Sequence, residues 1–156
     1  INEIKKKIFS IADRYELEAA KTTRIISGVI PTLKMLRKMP VKTGIFTFSG
    51  KKSTDYLLEH LRLRRYFDAV IPREHAPSIK PDTSHLKTVL DALGVLPEEA
   101  VVVGDSEGDM VCAKGIKATA VGLVNNRVPY EKLISAGADY LIYSFTDLIP
   151  LIEKLR

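Results

Sequence analysis

The stretch Ala100-Val101-Val102-Val103-Gly104-Asp105-Ser106-Glu107-Gly108-Asp109 decides how the rest of the chain is read. Its first four residues are apolar without alternation, the pattern of a strand buried on both faces, as in a parallel sheet covered by helices. A carboxylate follows at Asp105, and a second stands four residues on at Asp109, one helical turn away and so on the same side. In open α/β sheets, ligands bind at the carboxyl ends of strands, which is where this order puts both carboxylates.

Outward from this stretch the chain alternates. Downstream, the pattern predicts helix 107–114, strand 118–123, helix 129–136, strand 139–142 and helix 146–155. Upstream, it predicts helix 29–38 stopping before Pro40, strand 41–48, helix 52–61, strand 69–71 and helix 82–93 closing at Gly94. The fold class is therefore α/β, a doubly wound (Rossmann-like) parallel sheet with flanking helices. Before it, Ile4, Ile8, Ile11 and Tyr15 recur at helical spacing, so residues 2–20 read as an amphipathic helix whose apolar face needs a partner.

The chain's 156 residues suit one domain. They contain no apolar run long enough for a membrane span and no signal-like opening, so a soluble, cytoplasmic protein without a membrane partner is expected. Cys112 is the single cysteine, which excludes an internal disulfide and a cysteine-built metal site. The net charge of +5 gathers in Lys5 to Lys7, Lys51-Lys52 and Arg62-Leu63-Arg64-Arg65. These clusters are scattered and lack interleaved aromatics, so they read as solvated surface rather than a nucleic-acid interface.

Asp105 and Asp109 admit two readings. They can offer hard oxygens to a cation such as Mg²⁺, with water and substrate completing the shell. Alternatively, Asp105 or Ser106 caps the next helix while Glu107 and Asp109 favour its positive end. An EF-hand is excluded, because its glycine and last glutamate would fall on Met110 and Ile116. At the end of strand 41–48, Thr47 offers a hydroxyl and the following amides offer donors, which makes either a phosphate cradle or a plain turn. A P-loop does not fit: Gly44 and Gly50 are one residue too far apart, and Lys52 stands where Ser or Thr should follow the lysine. Lys80, held extended by Pro81 before a helix, can reach into a site or lie on the surface. His60, His75 and His85 share no metal-ligand spacing and are expected at the surface or at helix ends.

Taken in chain order, the strand ending in Thr47, the Lys80-Pro81 before a helix, and the strand running into Gly104-Asp105-Ser106-Glu107-Gly108-Asp109 closely resemble the haloacid dehalogenase-like hydrolases, particularly their phosphoglycolate phosphatase-like branch. Ser27-Gly28-Val29, Tyr66-Phe67-Asp68 and Lys80-Pro81-Asp82 support the resemblance, which runs from residue 27 to the C-terminus. It implies an α/β core at 27–156 and a remnant of an N-terminal helical cap at 1–26. It also implies a Mg²⁺-dependent phosphatase acting on a small phosphorylated metabolite through an aspartyl-phosphate. By this resemblance Thr47 and the Phe48 amide bind phosphate with Ser49 as helper, Lys80 neutralises it, Asp105 ligates Mg²⁺, and Asp109 ligates or orients. A carboxylate approaching a phosphate is opposed by roughly 4 kcal/mol per charge pair at about 4 Å and an effective dielectric near 20. A cation and a lysine offset that repulsion.

The family's first motif, an Asp-x-Asp whose leading aspartate is the nucleophile, does not occur in the chain; Asp13 is followed two residues later by Tyr15. In the family that strand lies between those ending at Thr47 and Asp105, so its absence leaves two central edges unpaired. The expectation is a C-terminal portion whose first strand comes from a preceding segment or a second chain. The competing expectation is a catalytically silent module that keeps only phosphate and Mg²⁺ binding.

Overall fold

The computed structural model describes residues 2–156. The unbroken apolar run forms β3 (Val101–Gly104), which pairs in parallel with β4 (Thr119–Leu123), and β4 pairs in parallel with β5 (Tyr140–Ile142). Val102 lies opposite Ala120, and Gly122 opposite Leu141. The crossovers are α5 (Glu107–Gly115) and α6 (Tyr130–Ser135), and α7 (Leu148–Leu155) follows β5. Upstream, β1 (Gly44–Phe46) and β2 (Ala69–Ile71) form a second parallel pair joined through α3 (Lys51–His60). α2 (Val29–Leu36) precedes β1, and α4 (Ser84–Leu93) runs from β2 towards β3. The expected α/β architecture is present.

The differences are local. Of the expected strand 41–48, Gly44–Phe46 forms β1; at its start the Thr43 amide donates to the Asp68 carboxylate at 2.8 Å, and beyond its end the Thr47 amide still donates to Ile71 O. Four short 3-10 turns, at Arg64–Tyr66, Arg73–His75, Pro97–Glu99 and Phe145–Asp147, occupy segments the helical period did not reveal. Gly94 closes α4 in the left-handed conformation at φ 63°, the end its position predicted.

The sheet is in two pieces. β1 pairs only with β2, and β3 only with β4. Yet both pieces lie between the same two apolar layers. On one side Ala69 of β2 and Val102 of β3 share a core with Leu86, Val89 and Leu90 of α4 and Met110 and Ala113 of α5. On the other, Tyr66 before β2 shares a core with Val121 of β4, Leu33 and Leu36 of α2 and Leu148 of α7. The edges of β1 and β3 that carry no strand partner among the described residues agree with the unpaired edges the family resemblance implied.

α1 (Asn2–Thr22) forms as expected but docks by another face. Ile4, Ile8, Ile11 and Tyr15 are all more than half exposed. The helix packs on α3 by the side that carries Phe9, Asp13, Glu16 and Ala20: Glu16 meets Ser53 of α3, Phe9 and Asp13 meet Arg73, and Ala20 is buried. Two carboxylates on that side meet a buried arginine, Arg73, and these ion pairs orient the helix more strongly than its apolar stripe does.

Candidate active site

The carboxyl ends of β1, β2 and β3 open on a pocket of about 540 Å³ lined by Phe48, Lys80, Asp105, Asp109 and the turn between the two aspartates. The β3 end is built on Ser106, which caps α5: its hydroxyl accepts from the Asp109 amide, and its own amide donates to Asp109 Oδ2. The capping reading of Asp109 is therefore realised. Its other oxygen, Oδ1, receives Lys80 Nζ at 2.6 Å, with the two side chains 8% and 16% exposed. Gly104 makes this possible, since a Cβ there would stand 2.3 Å from Asp109 Cβ and Cγ.

Lys80 comes from the far side of the break between the half-sheets. Its ammonium group lies 4.8 Å from the centre of the Phe46 ring at the end of β1, which steers the side chain across the gap. The Lys80–Pro81 peptide is cis. Behind it, the Cys112 thiol on α5 contacts the carbonyls of Pro81 and Asp82, and burial pushes that thiol's pKa up. Cys112 therefore stays protonated and acts as packing.

Asp105 is partly buried, and its Oδ2 receives Asn125 Nδ2 at 2.9 Å. Asn125 was not singled out from the sequence. Its signal was its place two residues beyond β4, the next strand whose carboxyl end opens on the site. Among the described residues no three His, Cys, Asp or Glu side chains converge as a metal cage. Two carboxylates at one pocket are nonetheless the donor set Mg²⁺ uses when water and substrate supply the rest. Asp105 could ligate directly, while Asp109 could do so only by releasing Lys80 or Ser106.

Thr47 and Ser49 do not line the pocket. Thr47 Oγ1 accepts from the Ser49 amide at 3.2 Å, and the Thr47 amide extends the β1–β2 pairing by donating to Ile71 O. The Phe48 amide donates to no acceptor among the described residues, so it is the free donor of this loop. Thus the structure brings Phe48, Lys80, Asp105 and Asp109 together and leaves the Thr47 hydroxyl turned into its own loop.

His60 and His75 are exposed, as expected. His85 is not: it stands in the first turn of α4 but is fully buried, edge-on to Phe46, with Nε2 donating to the Ile71 carbonyl at 2.8 Å. Burial, reinforced by nearby Lys80, holds its pKa below the ordinary value despite the Ile71 bond. It buttresses the floor beneath Lys80 as a neutral ring.

A family model described as haloacid dehalogenase-like hydrolase matches residues 1–123. The chain belongs to the haloacid dehalogenase-like hydrolases. Phosphoglycolate phosphatase from Salmonella typhimurium is 32% identical over 148 residues, covering 94% of this chain and 58% of that protein. Pyrophosphatase PpaX from Bacillus cereus is 30% identical over 130 residues, covering 82% and 59%. A haloacid dehalogenase-like phosphatase from Thermococcus onnurineus superposes with a TM-score of 0.75 at 33% identity, covering 93% of this chain and 64% of that one. The chain thus spans about three-fifths of the length of these haloacid dehalogenase-like relatives. No described helix is long and apolar enough to cross a membrane.

Proposed function

We propose that this site is the metal- and phosphate-binding half of a phosphatase that cleaves small phosphate monoesters. The observation that carries the reading is Lys80 reaching across the break in the sheet to Asp109, with Asp105 beside it and the Phe48 amide unspent. One cationic donor, two carboxylates and a free backbone amide at strand ends form a receptacle for a phosphoryl group accompanied by a divalent cation. Relatives named phosphoglycolate phosphatase and pyrophosphatase point to the same chemistry.

In this proposal Asp105, held by Asn125, would ligate Mg²⁺, and Asp109 orients Lys80 until substrate arrives. Bound Mg²⁺ would supply charge neutralisation of the phosphoryl oxygens. Lys80 then turns to the phosphate, and the Phe48 amide, with the Thr47 hydroxyl once released from Ser49, holds another oxygen; Ser49 assists. The nucleophile is a carboxylate on an apolar strand ending in Asp-x-Asp, seated between β1 and β3. That carboxylate oxygen attacks phosphorus, the ester P–O bond breaks, and the leaving oxygen takes a proton from the second aspartate. Water then cleaves the aspartyl-phosphate and releases inorganic phosphate. The strand comes from a segment preceding these residues or from a second chain, and α1 belongs to a helical cap over the site.

The second reading is a silent module that binds phosphate and Mg²⁺; no Asp-x-Asp stands among the chain's 156 residues. Mg²⁺-dependent hydrolysis of an aryl phosphate separates the two. It is measured for the 156-residue chain alone and for the chain joined to an apolar strand ending in Asp-x-Asp, with Asp105→Asn as control. Turnover only in the joined protein, lost in Asp105→Asn, supports the phosphatase. Phosphate binding without turnover in either supports the silent module.

A further inference from the structure

We infer that Arg73 is a positioning residue that fixes the Phe48–Gly50 loop and makes its shape depend on the docking of helix α1. The side chain is buried, an uncommon location for arginine. From the turn after β2, its Nη1 donates to the Phe48 carbonyl at 2.8 Å and to Glu16 Oε1 on α1 at 2.7 Å, while Nη2 pairs with Asp13. The Arg73 amide donates to the Ser49 carbonyl at 3.1 Å. One residue therefore grips two consecutive carbonyls of the loop whose Phe48 lines the pocket.

Glu16 completes the clasp from the helix. Its Oε2 accepts from the Gly50 amide at 2.8 Å and from Ser53 Oγ at 3.3 Å. Glu74 takes the next amide, Lys51, at 2.8 Å. Both carboxylates sit at the positive N-terminus of α3 and take the Gly50 and Lys51 amides, while Thr47 Oγ1 takes the Ser49 amide, so within Phe48–Gly50 the amide without an acceptor among the described residues is that of Phe48. Gly50 is the residue this closeness demands: a Cβ there would lie 2.3 Å from Asp13 Oδ1 and 2.8 Å from Arg73 Nη2. Phe9, with its ring 4.6 Å from the guanidinium carbon, covers the clasp from α1.

The consequence for phosphate binding rests on the function proposed above, but the clasp itself does not. Undocking α1 would remove Glu16, Asp13 and the Phe9 cover from Arg73 and leave its guanidinium beside the loop without those partners. It would then be free to abandon the Phe48 carbonyl and shift the loop residue that lines the pocket. A helix that carries no group into the pocket thereby controls its geometry.

The test is amide hydrogen exchange at Phe48, Ser49 and Gly50 in the 156-residue chain, together with its affinity for inorganic phosphate. The variants are Glu16→Gln, Asp13→Asn, Arg73→Lys and Arg73→Ala. Glu16 and Asp13 are partly exposed, so their isosteric variants keep the fold if the larger Arg73 change does not. Exchange about tenfold faster at Gly50 in Glu16→Gln is expected, the size of one charge-assisted hydrogen bond, with Phe48 and Ser49 following and β4 amides unchanged. Weaker phosphate binding should accompany it, and Arg73→Lys should give a smaller loss than Arg73→Ala. Unchanged exchange at all three loop amides in Glu16→Gln and Asp13→Asn would overturn the inference. If the unsubstituted chain binds no phosphate, the functional reading fails, and the exchange data still decide the clasp.

Discussion

Lys80 Nζ lies 2.6 Å from Asp109 Oδ1, and this pair joins the carboxyl ends of two half-sheets that share no backbone hydrogen bond. Both side chains are largely buried, so the pair works in a medium that strengthens attraction and punishes an orphaned charge. Replacing Lys80 by Met leaves the Asp109 carboxylate with Ser106 alone. The expected cost is roughly 3 kcal/mol of stability, read by urea unfolding at neutral pH, together with loss of phosphate binding.

Gly104→Ala tests the same arrangement from below. The new Cβ would collide with the Asp109 side chain at 2.3 Å, and Asp109 must move. A loss of about 1–3 kcal/mol is expected, the usual cost of overpacking. Because the displaced carboxylate is the one that orients Lys80, phosphate binding should fall as well, which calorimetric titration of the folded variant can measure.

His85 gives a pH dependence whose sign can be worked out. Its folded pKa is held down by burial, so below its ordinary value near 6.5 the unfolded chain takes up a proton that the folded one refuses. Stability contributed by the neutral ring is complete above that value and is lost as pH falls towards the depressed folded one. Unfolding midpoints should therefore drop between pH 7.5 and 5.5. In His85→Leu, which cannot titrate, that part of the drop should vanish.

Two aspartates set the acid limb. Asp139 accepts from the Ala120 amide at the start of β4, and Asp68 from the Thr43 amide before β1; these bonds, then Lys114 and Arg37 respectively, hold both carboxyl pKa values below the ordinary range. Their contribution is full above the ordinary carboxylate pKa and disappears as pH falls through the lowered folded values. Asp139→Asn keeps the shape and loses the charge, so with solvent screening of this exposed group about 0.5–1 kcal/mol of stability should go at pH 7 and less at pH 3, measured by chemical unfolding.

How far the sequence could be read follows from which interactions leave a periodic or local trace. The buried run into Asp105 and Asp109 announces itself by composition, and Pro81 and Gly94 punctuate the helices nearby. The unpaired edges of β1 and β3 were implied by the family resemblance. Arg73 left no such trace, because its partners Glu16 and Asp13 stand 57 and 60 residues away and a lone arginine reads as surface. The docked face of α1 was misread for the same reason: Ile4, Ile8, Ile11 and Tyr15 have the apolar period, but ion pairs decided the orientation. His85 differs too, since only the fold brings Phe46 and the Ile71 carbonyl around it.

The central claim is that Lys80, Asp105 and Asp109 serve phosphoryl transfer once a strand ending in Asp-x-Asp fills the gap between β1 and β3. The direct measurement is Mg²⁺-dependent aryl phosphate hydrolysis by the chain joined to such a strand, beside the chain alone. Turnover is expected only in the joined protein and should fall by at least about a hundredfold in Asp105→Asn, as when a group stabilising transition-state charge is removed. Turnover by the 156-residue chain alone, or turnover in the joined protein that survives Asp105→Asn, would contradict it.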